Sequence, residues 1–335
     1  MKNKIVIVIF VSLLGFTACS DDSGREPQPV RATAVRLEGA IGLSTRAVIG
    51  SGYNEDLKVC FARRDVLTPG LPDVTGSWGV HSAVRSGGVG SRPIVFMETQ
   101  TYPASGSVYL HGYYPTDGGK AVPDLAAGKV TFTIDGQTDV MATGYFKASS
   151  DQASVPCTFC HLLTWLSFVC YSDESGKWGK IVEIEAADIP LQQEMDWTSV
   201  SGEVKLRVAA GSPAGTLPVQ DIAYPLPLLQ VSQDDPLPGE DKATGYILLP
   251  VAGVAGNLGT PVNALWLNIT TTKDGKGVET ETTFRVSVSV EGGLQAGSRH
   301  ILSLFFTDGI GIEVARVGVT PWEDAAITNP NIPMQ

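Results

Sequence analysis

Charged residues, histidine and cysteine are all scarce in this sequence. Asp, Glu, Lys and Arg make up 18% of its 335 residues, and the net charge is −11. An acidic surface repels the phosphate backbone of nucleic acids, so we expect no nucleic-acid partner. The chain has only four histidines and five cysteines. This cysteine content is too low for a disulfide-dense scaffold.

Motifs of enzymes are also missing. The chain has no Gly-x-Ser-x-Gly elbow, no His-Glu-x-x-His and no phosphate-binding glycine loop followed by a helix. The carboxylate pairs Asp21-Asp22 and Asp234-Asp235 lie in polar stretches without a visible catalytic partner. No long helical periodicity is present, whereas glycine (37 residues) and proline (21 residues) are abundant. We therefore predict a β-rich extracellular protein that is not an enzyme and binds no cofactor.

The N-terminus carries an export signal. Lys2 and Lys4 precede an apolar run over residues 5–16, which is too short to span a bilayer as a helix. The run ends in Thr17-Ala18-Cys19, the pattern of a bacterial lipoprotein signal. We predict a signal peptide over 1–18 and lipid attachment to Cys19. The alternative is an ordinary signal peptide with an incidental cysteine.

The segment after Cys19 predicts processing. Ser20-Asp21-Asp22 resembles the acidic tag of surface lipoproteins in certain Gram-negative anaerobes, or it is simply a solvated start to a linker. Val35, Leu37 and Ile41 share one parity, which predicts a strand within Ala32–Ile41 with one buried face. Downstream, Arg46-Ala47 lies in a small, polar stretch that a trypsin-like protease would cut. Residues 19–46 are therefore predicted to be a lipidated propeptide that contains a removable strand.

Many short β segments separated by Gly, Pro, Asn and Asp predict β-sandwiches. A polar boundary at 148–155 divides the chain into an N-terminal β-sandwich over 47–152 and a C-terminal one over 153–335. Leu217–Pro238 is rich in proline and is predicted to be a loop. The segments predicted as strands are Asp56–Ala62, Arg92–Met97, Ser107–Tyr114, Lys129–Ile134, Thr158–Tyr171, Lys180–Ala186, Gly202–Val208, Gly245–Val251, Asn263–Thr272, Thr282–Val290 and His300–Phe306.

Two of these strands carry specific expectations about their faces. Lys129–Ile134 is predicted to place Val130, Phe132 and Ile134 on one face. Lys180–Ala186 is predicted to alternate so that Ile181 and Ile184 lie on opposite faces.

Cys157-Thr158-Phe159-Cys160-His161 matches the short pattern for covalent haem attachment. A zinc site with Cys170 is a further alternative. In a regular strand, however, Cys157 and Cys160 point to opposite sides, which opposes joint ligation. We therefore expect a structural role for these side chains, and we assign no metal or cofactor site. The pairing of Cys60, Cys157, Cys160 and Cys170 is left open by the sequence.

The six tryptophans allow one more alternative, a platform that stacks on sugars. Packing in the core or at its rim is the commoner role of tryptophan, and we expect it for most of them. They are Trp78, Trp165, Trp178, Trp197, Trp266 and Trp322.

Several segments together resemble the fimbrillin-like pilins. These segments are the strand end Tyr109-Leu110-His111-Gly112-Tyr113-Tyr114-Pro115, the stretch Asp139-Val140-Met141-Ala142, the strand Phe159-Cys160-His161-Leu162-Leu163 with Leu166-Ser167-Phe168, the stretch Tyr246–Pro250, and the closing Val319-Thr320-Pro321-Trp322. They occur in the family's order, together with the lipoprotein signal and the Thr-Arg-Ala site.

The resemblance implies an all-β fold of two transthyretin-like β-sandwich domains in tandem. It implies an outer-membrane lipoprotein precursor from which an arginine-specific protease removes the N-terminal strand. Cleavage would fall between Arg46 and Ala47, and the cell-surface pilus subunit would then accept a strand from another pilin subunit. The donor strand would come from residues 323–335, although Pro330 and Pro333 cannot donate to a ladder. A stalk or tip subunit would serve adhesion to a host or bacterial surface receptor. The alternative function is a glycan-binding surface lipoprotein that stays anchored through Cys19.

Overall fold

A computed structural model describes residues 33–41, 53–66, 77–104, 106–198, 204–232, 238–253, 265–290, 292–308 and 311–321. More than half of these residues lie in strands and very few lie in helices, which confirms the predicted all-β fold. One helical turn, α1 (Ser175–Trp178), and a 3₁₀ turn (Glu240–Lys242) are the helical elements of the described residues. None of the helical segments within these ranges has the length and apolar character needed to cross a membrane.

The strands are short and follow one another closely along the chain. In order they are β1 (Leu37–Ile41), β2 (Leu57–Asp65), β3 (Gly79–Arg85), β4 (Arg92–Phe96), β5 (Ser107–Tyr114), β6 (Ala121–Asp124), β7 (Lys129–Thr133), β8 (Met141–Ala142), β9 (Phe146–Ser149), β10 (Val155–His161), β11 (Leu163–Ser172), β12 (Lys180–Pro190), β13 (Gln192–Asp196), β14 (Arg207–Val208), β15 (Ala214–Pro218), β16 (Leu226–Pro227), β17 (Leu229–Gln230), β18 (Thr244–Pro250), β19 (Leu265–Thr271), β20 (Thr282–Val288), β21 (Ser298–Thr307) and β22 (Gly311–Pro321).

The first sheet closes on itself. Its strand order is β2-β3-β4-β1-β10-β8-β5-β9, and β2 also pairs with β5. Alternate residues point inward, as the pleat requires. In β1 the inward positions are 37, 39 and 41, and in β10 they are 155, 157, 159 and 161. The apolar side chains at these positions belong to one cluster inside the ring of strands, which also contains Phe61 in contact with Phe159.

The second sheet contains β17, β11, β21 and β22, with β18 on the other side of β11. Every residue of β11 is buried, and the strand pairs in parallel with β21 along eight residues. The apolar stretch Thr158–Tyr171 was predicted to be one strand, and this was wrong. The chain leaves the first sheet after His161 and enters the second at Leu163. Both segments are apolar but belong to different cores, so the apolar pattern gave no sign of the break between them.

The third sheet has the order β15-β12-β19-β20, and β16 also pairs with β12. The predicted alternation in β12 was wrong. The register of β12 against β19 shifts between Ile181 and Glu183, so that Ile181 and Ile184 are both fully buried. A bulge adds one residue to a strand and thereby reverses the side to which the following side chains point.

The fourth sheet joins the two halves of the chain. Its order is β14-β13-β7-β6, so β7 from the first half pairs with β13 from the second. Val130, Phe132 and Ile134 are buried on one face, as predicted from their alternation. Phe132 lies against Tyr113 of β5, and Tyr113 stacks on Trp197. The first sheet therefore packs against a core to which both halves contribute.

The sequence did not predict several strands. β3, β6, β8, β9, β13, β15 and β22 were not identified, and the proline-rich segment predicted to be a loop contains the short strands β16 and β17. Most of the missed strands are short or mainly exposed, so their apolar periodicity is weak. β22 is the terminal strand of its sheet and alternates poorly.

Candidate functional site

The candidate site is the position of β1 in the first sheet. β1 pairs in parallel with β10 over five residues, from Leu37 opposite Val155 to Ile41 opposite Phe159. On its other side it pairs antiparallel with β4 over three residues, from Leu37 opposite Ile94 to Gly39 opposite Arg92. The strand predicted before Arg46 therefore exists, and it lies between two neighbours inside the sheet.

The backbone pairing extends beyond the N-terminal end of β1. The N–H of Val35 donates to the carbonyl of Gln100 (2.8 Å), and the N–H of Tyr102 donates to the carbonyl of Thr33 (2.9 Å). On the opposite side, the N–H of Val155 donates to the carbonyl of Arg36 (3.0 Å). The segment from 33 to 41 thus satisfies backbone groups on both flanks, and its removal would leave those groups unpaired.

Three inward side chains of this segment belong to the first core. Val35, Leu37 and Ile41 are between 2% and 7% exposed and lie in the cluster that contains Phe61 and Phe159. This is the predicted buried face. Burial of an aliphatic side chain of this size contributes about 1.5–3 kcal/mol, so the segment contributes substantially to the core.

The contact between β1 and β4 is incomplete. A cavity of about 510 Å³ opens beside the N-terminal half of β1 and is lined by residues 34–38, 93–96, 99–100 and 153–154. β1 is therefore held less tightly by β4 than by β10, since the ladder with β4 is shorter and the cavity adjoins it.

Arg85 is a residue of this site that the sequence reasoning missed. Its side chain is buried at the end of β3, and its Nε donates to the carbonyl of Gly39 (2.9 Å). The remaining nitrogens donate to the carbonyls of Ser86 (3.2 Å), Gly88 (2.9 Å) and Gly90 (2.6 Å). Burial lowers the pKa of Arg85, and the nearby Arg92 lowers it further. A lone arginine in a sequence gives no sign that it will be buried, so no local pattern could have identified it.

Three of the segments that resemble the fimbrillin-like pattern meet beside this site, and they lie in β5, in β8 with the residues before it, and in β10. β8 pairs with β10 (Met141 opposite His161) and also with β5 (Met141 opposite Tyr114). The buried Asp139 lies 2.6 Å from His161, between Oδ2 and Nδ1. Asp139, which precedes β8, therefore holds the C-terminal end of β10, the strand that pairs with β1. The sequence named both residues but did not predict their contact.

The Cys157-x-x-Cys160-His161 segment is a regular part of β10. Cys157 points into the first core, whereas Cys160 points outward and is exposed. This geometry agrees with the expectation that the two thiols do not act together. Burial raises the pKa of the Cys157 thiol to about 12, so this group is poorly suited to ligation or attack.

Cys170 lies in β11, in a different core, and burial raises the pKa of its thiol to about 12. Within the described ranges, no group of three or more His, Cys, Asp or Glu residues is arranged to hold a metal ion. Cys60 is also buried, and the four cysteines of the described residues are unpaired. Cys60, Cys157 and Cys170 are therefore packed in cores, whereas the expected packing role of Cys160 was wrong, because this outward side chain of β10 is exposed.

Most of the tryptophans belong to cores. Trp165, Trp178 and Trp197 are no more than 2% exposed, so they cannot stack on a sugar at the surface. Trp78 and Trp266 are half-buried and lie under arginine side chains. Trp322 lies outside the described residues. The tryptophans thus provide no continuous platform among the residues described.

Several predicted sites lie outside the described residues. These are the lipidation site Cys19, the cleavage site Arg46-Ala47 and the donor segment 323–335. They stay predictions from the sequence.

Solved structures share this fold. A "putative cell adhesion protein" from Bacteroides uniformis matches with a TM-score of 0.54 at 16% identity, over 88% of this chain and 100% of that one. Another protein with that name, from Bacteroides ovatus, has a TM-score of 0.50 at 14% identity, over 87% and 98% of the two chains. A fimbrial protein from Bacteroides vulgatus has a TM-score of 0.50 at 11% identity, over 86% and 99%. No family model and no curated protein matches the chain. At these identities the likeness establishes the fold.

Proposed function

We propose that this protein is a non-enzymatic structural subunit of a cell-surface pilus that serves adhesion. It assembles by strand exchange after cleavage between Arg46 and Ala47. One observation carries the proposal: β1 lies inside a closed sheet, and its last residue, Ile41, precedes Arg46 by five positions (46 − 41). A single cut would therefore separate an integral strand of the core from the rest of the protein.

The consequence of such a cut follows from the pairing of β1. Loss of the strand leaves β4 and β10 as facing edges with unpaired N–H and C=O groups. Between them the apolar cluster around Phe61 and Phe159 becomes accessible. Such a groove is a template for another extended chain, and a strand from a neighbouring subunit restores both the ladder and the core.

The precursor is proposed to reach the cell surface as an outer-membrane lipoprotein through Cys19. Surface location and adhesion are supported by the names of the solved structures with the same fold, two cell adhesion proteins and one fimbrial protein of Bacteroides. The partners are other pilin subunits, the outer membrane through the lipid of the precursor, and a receptor on a host or bacterial surface. Donor and groove on different faces give a head-to-tail contact, which grows a filament.

The finer architecture is also a proposal. We propose two transthyretin-like β-sandwich domains. The sequence predicted the division at 152/153, but β10 pairs with β1 and β8 of the first sheet, so we propose that the division follows His161. The subunit is either a stalk or a tip, and the prolines at 330 and 333 favour a tip, which needs only to accept a strand.

The proposal is tested by cutting the purified protein with an arginine-specific protease, with Arg46→Gln as the matched control. We expect a new N-terminus at Ala47, release of the preceding segment, and polymers when partner subunits are added. The control stays uncut and monomeric. Mass spectrometry gives the terminus, and light scattering after gel filtration gives the assembly state.

Two results would contradict this function. The first is a cut protein that stays monomeric both alone and with candidate partner subunits. The second is a mature protein on native cells that still begins at an acylated Cys19. The second result would instead favour the anchored, glycan-binding lipoprotein.

A further inference from the structure

Gly39 occupies an inward position of β1 where no side chain larger than a methyl group fits. A Cβ atom at this position would lie 2.6 Å from Cδ1 and 3.2 Å from Cγ1 of Ile94, and 3.7 Å from Cε2 of Phe159. The backbone of Gly39 does not have a positive φ, so conformation does not require glycine there. The requirement is therefore steric: the neighbouring strands fill the space that a side chain of β1 would take.

The atoms that fill this space have little room to retreat. Ile94 is 4% exposed, and Phe159 is completely buried against Phe61. Phe159 is also confined by Gly112 of β5, where an added Cβ would lie only 2.8 Å from its ring. Cδ1 of Ile94 is the end of a flexible side chain and can yield to one methyl group. A branched side chain would need the aromatic ring to move as well.

Arg85 fixes which residue of the strand lies at this position. Three of its four carbonyl acceptors belong to residues 86, 88 and 90, which remain when β1 leaves. Only the acceptor of Nε, the Gly39 carbonyl, is supplied by the removable strand. The guanidinium thus stays positioned in the empty groove with one unsatisfied donor, and a new strand satisfies it by placing a carbonyl at the Gly39 register.

We infer that the groove selects the strand that replaces β1 by its sequence. The accepted strand has large aliphatic residues at the positions of Leu37 and Ile41, a glycine between them, and outward residues that are free to vary. Arg85 sets the register, and the Ile94–Phe159 contact excludes larger residues at its centre. This inference rests on the proposed strand exchange and names the chemistry of the partner.

The chain's own C-terminal segment does not meet this rule. Residues 323–335 contain no glycine. β22 contains Gly311 and Gly318. A strand aligned on Gly318 would place Arg316 at the buried Leu37 position, and one aligned on Gly311 would place Glu313 at the buried Ile41 position. A buried charge without a partner is costly. The occupant is therefore a strand from a different subunit, and the filament grows from unlike subunits at this end.

The test uses the full protein cut after Arg46, with the released segment removed, and labelled peptides whose binding is followed by fluorescence anisotropy. The reference peptide covers residues 33–45. With Gly39→Val we expect roughly 10–100-fold weaker binding, and with Gly39→Ala a loss of about 3–10-fold. The matched control is Ala40→Val in the same peptide, which places the same side chain on the outward face and leaves binding unchanged.

Two further arms test the register and the partner. Arg85→Lys in the protein should weaken binding of the reference peptide, and circular dichroism checks that the variant folds. The peptide series uses the unaltered protein and does not depend on this variant. A peptide of residues 323–335 should not compete with the reference peptide.

The outcomes separate the inference from the proposed function. Equal binding of the reference and Gly39→Val peptides would overturn the selection rule and leave strand exchange standing. Competition by the 323–335 peptide would overturn the assignment to an unlike subunit. Failure of the reference peptide itself to bind would overturn strand exchange.

Discussion

The core around β1 and the core around β11 are equally well buried but differ in how the chain supplies their strands. Leu37 of β1 is 2% exposed, and Leu304 of β21 is fully buried. β11 and β21 lie in one continuous stretch of chain after Arg46, whereas β1 precedes it. One hydrolysed peptide bond would therefore open the first core and leave the second intact.

If the proposed cleavage occurs, burial alone does not make a strand permanent. A strand inside a sheet is held by hydrogen bonds and apolar contacts, which any chain of suitable sequence can replace. Connectivity makes the native strand the favoured occupant, because an attached segment has a high effective concentration. The proposed cleavage would remove this advantage, and strands would then compete for the groove according to their sequences.

The largest expected effect compares the same substitution in the two cores. Leu37→Ala and Leu304→Ala should each lower the free energy of unfolding of the uncut protein by about 2–5 kcal/mol, because both leave a cavity. After cleavage and release of β1, the Leu37 variant should be identical to the wild type, whereas the Leu304 variant stays destabilised. Urea unfolding before and after cleavage measures both.

A Leu37 variant that stays destabilised after cleavage would mean that β1 remains bound. Glu38→Ala, on the exposed face of β1, controls for any general effect of altering the strand.

An intermediate effect concerns His111 on β5. Its neighbour Gly112 faces Phe159 inside the ring, so His111 faces the other side, next to Tyr145 and within the field of Asp196. Burial lowers the pKa of His111 from 6.5 to about 4, which corresponds to roughly 3 kcal/mol at most. The unfolded chain takes up this proton below pH 6.5 while the folded protein does not. The free energy of unfolding should therefore fall as the pH drops from 6.5 to 4.

Chemical denaturation across this pH range checks the prediction, with His111→Gln as the comparison. The difference in the free energy of unfolding between wild type and variant should shrink as the pH falls. It should shrink by the same amount in the uncut and cut proteins, because His111 does not touch β1. A constant difference across pH 6.5–4 would show that another group carries the pH dependence.

The smallest expected effect concerns Asp135, in the turn after β7. Burial alone would raise the pKa of this carboxyl, but hydrogen bonds from Lys120, Thr138 and Gln137 together lower it to about 2. The stability it contributes is present above pH 4 and is lost as the pH falls toward 2. Asp135→Asn should therefore cost about 1 kcal/mol at pH 7, since solvent screens this partly exposed group.

This cost should disappear near pH 2, as measured by thermal unfolding. The carbonyl of Gly136 in this turn accepts a hydrogen bond from the N–H of Leu248 in β18. The turn thus contacts a strand that lies after Arg46, so the effect should not depend on cleavage. Asp241→Asn, at an exposed aspartate, is the matched control. A stability cost of Asp135→Asn that changes on cleavage would contradict this and would show that Asp135 is coupled to β1.

Alternation predicted the local elements well wherever one face of a strand is buried. Val35, Leu37 and Ile41 were assigned to a buried face, and Ser107–Tyr114 was predicted with the bounds of β5. Prediction failed where a bulge reverses the side, as between Ile181 and Glu183, and where two cores meet in one apolar run, as at Leu162. Neither event changes composition or local periodicity enough to be detected.

The candidate site was predicted only in outline. The strand before Arg46 was expected, and Asp139 and His161 were noted separately. Their contact and the role of Arg85 depend on strands that are distant along the chain, 22 residues apart for the first pair and 46 for Arg85 and Gly39.

The sequence by itself determined that the chain forms short, one-sided strands and that an arginine follows its first strand, and it predicts an export signal. These properties are local, because they arise from side-chain alternation and from peptide motifs read in linear order. The tertiary structure alone decided that β1 lies between β4 and β10, that the sheet closes, and that Ile94 and Phe159 leave no space for a branched side chain at position 39. Those facts depend on which strands become neighbours, which is set by the packing of the whole core.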